Sequence, residues 1–245
     1  MVAGAMRCGT TALASFLGSH PEVCFSNTKE PHFFDAPDFD DGEAPEALAA
    51  SYHAKYFPHY RSGQLAGEAT PIYLYLPVAI RRIARYNPRM KFIVLLRDPV
   101  KRALSHYRLS VVQGIEQASL SGALFAEYFR LRCDRGNLAW DSPLRRYSYL
   151  DRGFYARQLG VLRAHFPEEQ ILVVSNSQLL EEHEKTLRRI HAFLGVQDMA
   201  FVPPQEFMNS FESPPAPWWL CLMLRALYWR EQKRLAAMPG IGGEL

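Results

Sequence analysis

The 245-residue sequence has little cysteine and little net charge. Its four cysteines, Cys8, Cys24, Cys133 and Cys221, stand far apart with no CxxC pair. That spacing excludes a zinc ribbon and a disulfide-stapled scaffold, and a reducing cytoplasmic compartment is the expectation. The eight histidines show neither HxH nor HExxH spacing, so no metal site is expected. A net charge of +3 is too small for a chain that coats nucleic acid, which is therefore not an expected partner. No apolar run reaches the roughly 18 residues that a membrane-spanning helix needs. The opening MVAGAMRCGTTALASFLG is interrupted by Arg7 and has no basic leader, so it does not read as a signal peptide. The longest apolar stretch, Pro217–Trp229, is short and carries Arg225. It suits a core helix, a dimer face or peripheral association with a membrane surface. Internal repeats and low-complexity tracts are also missing.

What is present is ordinary globular composition, 48% hydrophobic and 22% charged, enough for one large domain over residues 1–245. Strand-like runs occur at Val2–Ala5, Val23–Phe25, Leu65–Gly67, Phe92–Leu96 and Ile171–Val174. Between them, helical periodicity marks Thr10–Ser19, Glu46–Phe57, Val78–Tyr86, Val100–Val112, Tyr155–His165 and Glu184–Leu194. Strands alternating with helices imply an α/β fold, a central parallel sheet flanked by helices on both faces. Asp35–Glu46 has six acidic residues and no basic one, and reads as an exposed loop. Pro203–Pro217 is proline-rich and irregular, with a final helix after it.

Charge is unevenly spread. Residues 81–108 hold nine basic side chains against one acid, Asp98. Arg81, Arg82, Arg85 and Arg89 read as a solvated helix face. Arg97 stands apart, because it follows a strand at the carboxyl edge where open parallel sheets bind ligands.

The first strand leads into Gly4-Ala5-Met6-Arg7-Cys8-Gly9-Thr10-Thr11 and then a helix. The G-x-x-x-x-G spacing is that of a P-loop, with Thr10 in place of the Walker lysine and Thr11 in the Ser/Thr position. Such a loop aims backbone N–H groups and a helix N-terminus at an anion. Without the lysine, and with Arg97 where a Walker-B acid would stand, a Mg²⁺-triphosphate is disfavoured. A donor with one phosphate at the loop fits better, with Arg7 placed to meet it.

The segments MRCGTTALASFLGSHPEV, KEPHFFD, GEATPIY and LLRDPVKRALSHY, taken in order, resemble the PAPS-dependent sulfotransferases. The similarity is greatest to the bacterial and Golgi-type branch related to heparan sulfate sulfotransferases. It spans residues 1–195, including LVVSNSQLL and LRRIHAFLGV, and leaves 196–245 as a variable C-terminal segment ending in an apolar helix. The resemblance implies 3′-phosphoadenosine 5′-phosphosulfate (PAPS) as co-substrate and a P-loop-containing fold. It implies that Arg7, Cys8, Gly9, Thr10 and Thr11 hold the 5′-phosphosulfate, and that Arg97 and Ser105 hold the 3′-phosphate. It also implies Glu30 as the base that takes the acceptor's proton. Beside Phe33 and Phe34 that carboxylate would be partly desolvated, which raises basicity, while Lys29 opposes this. His32 and Glu68 are the other candidates.

Two departures from the family pattern stand out. Arg7 occupies a position that is lysine in many relatives; it can stabilise a leaving phosphate oxygen but is a poor proton donor. Ala69 stands where relatives often have lysine. The expected reaction is in-line transfer to a hydroxyl or amine of a glycan, lipid, peptide or small secondary-metabolite acceptor, with Glu30 and Arg7 catalytic. The rivals are a P-loop small-molecule kinase using ATP and a non-catalytic nucleotide- or glycan-binding module.

Overall fold

A computed structural model describes residues 1–134, 136–198 and 216–241. Five short strands alternate with helices in the order β1 (Val2–Gly4), α1 (Thr10–Gly18), β2 (Val23–Phe25), α2 (Pro45–Tyr56), β3 (Leu65–Gly67), α3 (Pro77–Tyr86), β4 (Phe92–Leu96), α4 (Pro99–Val112), α5 (Leu120–Cys133), α6 (Pro143–Arg146), α7 (Tyr155–Arg163), β5 (Ile171–Ser175), α8 (Asn176–Glu181), α9 (His183–Leu194) and α10 (Trp218–Ala236). Every strand pairing is parallel: β1 with β4, β4 with β5, and β2 with β3. A parallel bridge between Val2 and Ala69, and a 2.8 Å bond from the Val2 N–H to the Glu68 carbonyl, join the two groups in the order β2-β3-β1-β4-β5.

All five residues of β4, Phe-Ile-Val-Leu-Leu, are buried. Successive strand residues point to opposite faces, so both faces of the sheet are covered. The chain leaves β1 towards β2 on one side and leaves β4 towards β5 on the other. The β1–β4 boundary is therefore the switch point, where the two departing loops open a crevice at the carboxyl edge. The loop holding Arg7 and the turn holding Arg97 both lie there.

Helices α5, α6 and α8 have no counterpart among the expected helices, α6 being a single turn. For α5 the reason is that it buries only Ala123, Leu124 and Glu127 while exposing Phe125, Tyr128 and Phe129. Helix α8 is short and rests on a capping box between Ser175 and Gln178. Beside the main core, a smaller cluster of Val100, Ala123, Leu124, Tyr149, Leu220, Leu224 and Tyr228 ties α4, α5 and α10 together. The proline-rich stretch after residue 202 lies outside the described residues as far as residue 215.

The solvated basic face holds for Arg81 and Arg89, which are exposed, and is corrected at Arg82 and Arg85. Arg82 is only 6% exposed and bonds Asp41 at 2.9 and 2.7 Å and the carbonyls of Phe34 and Ala36. Arg85 bonds the carbonyls of Asp41 and Glu43. The acidic loop is exposed at Asp38, Asp40 and Asp41, as expected, but packs along α3, and Asp35 within it is fully buried. A stretch rich in one sign faced a helix rich in the other, and pairing across 41 residues of sequence was not visible locally.

Candidate active site

The loop after β1 curls back on itself: Ala5 N–H bonds the Leu95 carbonyl at 2.6 Å and Cys8 N–H the Ala5 carbonyl at 3.1 Å. Gly9 takes φ 95°, where a Cβ would come within 2.9 Å of Asn176 Nδ2. Only glycine fits that turn comfortably. Asn176, at the start of α8, donates to the Cys8 carbonyl at 3.0 Å and braces the loop from the β5 side. Gly9 is also the N-cap of α1 and no side chain caps the helix, so the first-turn N–H groups face the loop.

Cys8 turns its thiol inward, fully buried and 3.8 Å from the Tyr155 hydroxyl. Burial pushes that thiol up to about 11, so Cys8 offers backbone and not a nucleophile. Thr10 is buried and Thr11 exposed, and no described residue engages either hydroxyl.

Arg7 and Arg97 meet at this loop. Arg7 Nε donates to Ser105 Oγ at 3.1 Å, and Arg97 Nη1 lies 3.4 Å from the Arg7 carbonyl. Tyr155 OH donates to the Arg97 carbonyl at 3.0 Å. The local sequence explains Ser105: Asp98 caps α4 by accepting from Lys101 N–H at 2.8 Å, Pro99 opens the helix, and Ser105 follows two turns on. Neither arginine forms an ion pair with a described residue. The Arg7 guanidinium is held below the usual arginine range, first by burial and next by the charge of Arg97. Beneath them, burial and then the charges of Arg152, Arg102 and Arg7 keep His106 well below the ordinary histidine value. Arg7, Arg97, Arg102 and Arg152 together make this end of the sheet cationic.

Glu30 stands on the same rim, half-buried and close enough for its charge to act on Arg7. The segment that carries it is anchored from below. Tyr73 OH accepts the N–H groups of Phe33 and Phe34 at 3.0 and 3.3 Å, and Tyr56 OH bonds the Pro31 carbonyl at 3.2 Å. The Phe33 and Phe34 rings sit in an aromatic nest with Tyr52. His32 bridges two acids: Nε2 lies 3.6 Å from Glu30 and Nδ1 3.0 Å from Asp35. Burial alone would push His32 down, but its hydrogen bonds to Asp35 and Glu30 and their charges outweigh this and raise it to about 9. Raised above neutrality, the imidazole favours its protonated form, which argues against His32 as a base.

Burial would raise the Asp35 carboxyl, but the hydrogen bonds and charges of His32 and Arg145 hold it below the usual range. Glu68, the third candidate, is 1% exposed and accepts from Tyr52 OH at 2.7 Å and Thr70 Oγ1 at 2.6 Å. It is a core carboxyl, out of reach of an acceptor.

The residues that sequence reading passed over are Asp35, Arg145 and Asn176. Asp35 stood at i+3 from His32 and was readable as its partner. Arg145 lies 110 residues from Asp35 and Asn176 lies 168 from Cys8, so no local pattern marked them. Among the described residues, the non-glycine residues with positive φ are Arg7 at 74°, Glu30 at 52° and His32 at 52°. A left-handed backbone costs such residues about 1–2 kcal/mol each. Strain of this kind concentrates where geometry serves a site.

A sequence profile described as "Sulfotransferase family" matches residues 1–200. Mouse heparan sulfate glucosamine 3-O-sulfotransferase 3B1 is 31% identical over 197 residues, covering 80% of this chain and 46% of that protein. Mouse heparan sulfate glucosamine 3-O-sulfotransferase 6 is 32% identical over the same length, covering 80% and 52%. The chain thus spans about half the length of these relatives. The crystal structure of a sulfotransferase from Alicyclobacillus acidocaldarius superimposes with a TM-score of 0.76 at 29% identity, over 96% of this chain and 93% of that one. The profile runs through all the segments that build this rim, and the strand and helix order is shared with a solved relative almost end to end, so the chain belongs to the sulfotransferase family.

Proposed function

We propose that the chain is a transferase that moves a sulfuryl group from PAPS to a hydroxyl of a glycan. The observation that carries this reading is the junction of Arg7, Ser105 and Arg97 at an uncapped helix N-terminus. The 3′ and 5′ positions of one ribose are neighbours, so a 3′,5′-bisphosphate needs two adjoining anion receptors. Arg97 with Ser105, and Arg7 with the loop N–H groups and the hydroxyls of Thr10 and Thr11, supply them. The cationic character of this end of the sheet suits a ligand with several negative charges.

When bound, the donor supplies a sulfuryl group on a phosphate that leaves readily. The chain's own residues do the rest. Glu30 accepts the proton of the attacking hydroxyl, and His32, shifted towards its protonated form and held by Asp35, fixes the carboxylate that it touches. Arg7 and the loop N–H groups offset the negative charge that grows on the departing phosphate oxygen. A glycan acceptor is supported by the relatives' activity. The acidic loop offers less resistance to an anionic glycan than its sequence suggests, because Arg145 pairs with Asp35 and Arg82 with Asp41.

Transfer of labelled sulfate from PAPS to a panel of glycans tests the reading directly. Sulfate should appear on at least one glycan. Binding of 3′,5′-diphosphoadenosine should fall in Arg97→Ala and Ser105→Ala. Mg²⁺-dependent ATP binding that ignores a 3′-phosphate would instead establish a kinase.

A further inference from the structure

Helix α10 carries two apolar stripes with the same spacing. Leu220, Leu224, Tyr228, Glu231 and Leu235 form the buried one. Its seat is specific: Tyr228 OH donates to the Leu150 carbonyl at 2.7 Å and Glu231 accepts from Ala156 N–H at 2.6 Å. Displaced by two residues lies a second series, Trp218, Leu222, Ala226, Trp229 and Lys233. Each helical residue turns about 100°, so a two-residue offset places this series about 200° away, on the outer face. Its exposure is high: Trp218 75%, Leu222 54% and Trp229 54%, with Met223 and Leu227 beside them also exposed.

The exposed charges along α10 have one sign. Arg225, Arg230, Lys233 and Arg234 are exposed, and the only acid within α10, Glu231, faces inward. Lys233 Nζ lies 3.9 Å from the centre of the Trp229 ring, its stem along the aromatic surface. Exposed tryptophans and aliphatics flanked by arginine and lysine are the make-up of a helix lying in a lipid interface. Exposed large apolar side chains gathered on one face mark an interaction site.

We infer that the outer face of α10 docks the protein on an anionic lipid bilayer, with the helix in the plane of the surface. Charge complementarity selects this occupant. A second copy of the chain seated on the same face would bring four cations against four cations, whereas an anionic headgroup layer neutralises them while the acyl boundary takes Trp218, Leu222 and Trp229. No membrane-spanning helix is needed for such binding.

The test is co-sedimentation of the full chain with phosphatidylcholine vesicles, with and without phosphatidylglycerol. Tryptophan emission is read in parallel, since three of the four tryptophans lie in α10. Binding should require phosphatidylglycerol, weaken with salt and shift the emission to the blue. Trp218→Ser and Leu222→Ser should each weaken partitioning roughly tenfold. Arg225→Gln and Arg230→Gln should each weaken it about fivefold. The buried stripe is untouched in all four, so their circular dichroism should match the parent. Failure to bind anionic vesicles overturns the inference, as does binding indifferent to Trp218→Ser and Leu222→Ser. Two further results overturn it in favour of another occupant. One is a lipid-free dimer that the same serine substitutions dissociate. The other is capture of soluble heparin that needs the arginines and ignores Trp218 and Leu222. All these readouts are independent of sulfuryl transfer.

Discussion

Arg7 Nε donates to Ser105 Oγ at 3.1 Å, linking the loop after the first strand to a helix 98 residues away. The bond places the two expected phosphate receptors side by side at the β1–β4 switch point. Because Arg97 touches the Arg7 carbonyl as well, the three residues form one connected group.

Loss of either group of the 3′ receptor should therefore be felt in binding. Arg97→Ala should weaken 3′,5′-diphosphoadenosine by roughly tenfold to a hundredfold, the worth of a charged hydrogen bond, with Ser105→Ala weaker in effect. Arg97→Lys should restore only part of it, since lysine is a point charge without the planar fork. Titration calorimetry at fixed salt checks this. Affinity for adenosine 5′-phosphosulfate, which lacks the 3′-phosphate, should change far less.

Glu30→Gln keeps the shape of the side chain and removes the proton acceptor. The turnover number should fall by about 10² to 10⁴, the usual contribution of a general base. Diphosphoadenosine affinity should stay within about twofold, because in the proposed reading Glu30 serves the acceptor and not the donor phosphates. A variant with full turnover would strip Glu30 of that role.

Glu68 is the control for that experiment. Glu68→Ala leaves the hydroxyls of Tyr52 and Thr70 without their buried acceptor. Unfolding should become easier by about 1–3 kcal/mol or more, the cost of unsatisfied buried groups. Urea titration reads the loss, while the folded fraction should retain nucleotide affinity. The two glutamates thus separate a chemical role from a structural one.

The His32 pair predicts a pH dependence. Its folded value of about 9 lies above the ordinary 6.5, so the stability it contributes is complete below about pH 6.5 and is lost as pH rises through about 9. Turnover should lose its ordered base over the same range. His32→Gln should flatten that alkaline limb in both stability and turnover profiles, whereas a limb unchanged by the substitution would assign it elsewhere.

Asp35→Asn tests the support beneath the rim. It leaves Arg145, which is only 6% exposed at its side chain, beside an amide instead of a carboxylate. A buried pair broken from one side costs about 3–5 kcal/mol. The His32 titration should fall towards its ordinary value in the same variant, which NMR of the imidazole would show.

Much of this molecule was legible in order and spacing. Alternation of apolar runs with helical periods located the five strands of the described residues, and a glycine pair at P-loop spacing marked the loop after the first strand. Those signals are local: a strand's alternation, a helix's cap and a turn's need for positive φ act within a few residues. Arg97 at a strand end was readable for the same reason, whereas Ser105 was singled out only by the resemblance to the family.

Tertiary structure decided the rest, because burial and charge pairing are properties of what lies across the fold. Arg82, apparently one of a solvated row, became a buried partner of Asp41. Asp35, read as part of an exposed acidic loop, became a buried counter-ion for His32 and Arg145. Choice among three candidate bases also depended on solvent and partners. Glu68 is enclosed and His32 is shifted towards its protonated form, while Glu30 is half-exposed, which is why Glu30 is the base we propose. Residue type alone determined which groups could do chemistry. Their long-range neighbours decided which were charged, accessible and aimed at one another, since solvation and Coulomb forces depend on distance in space and not along the chain.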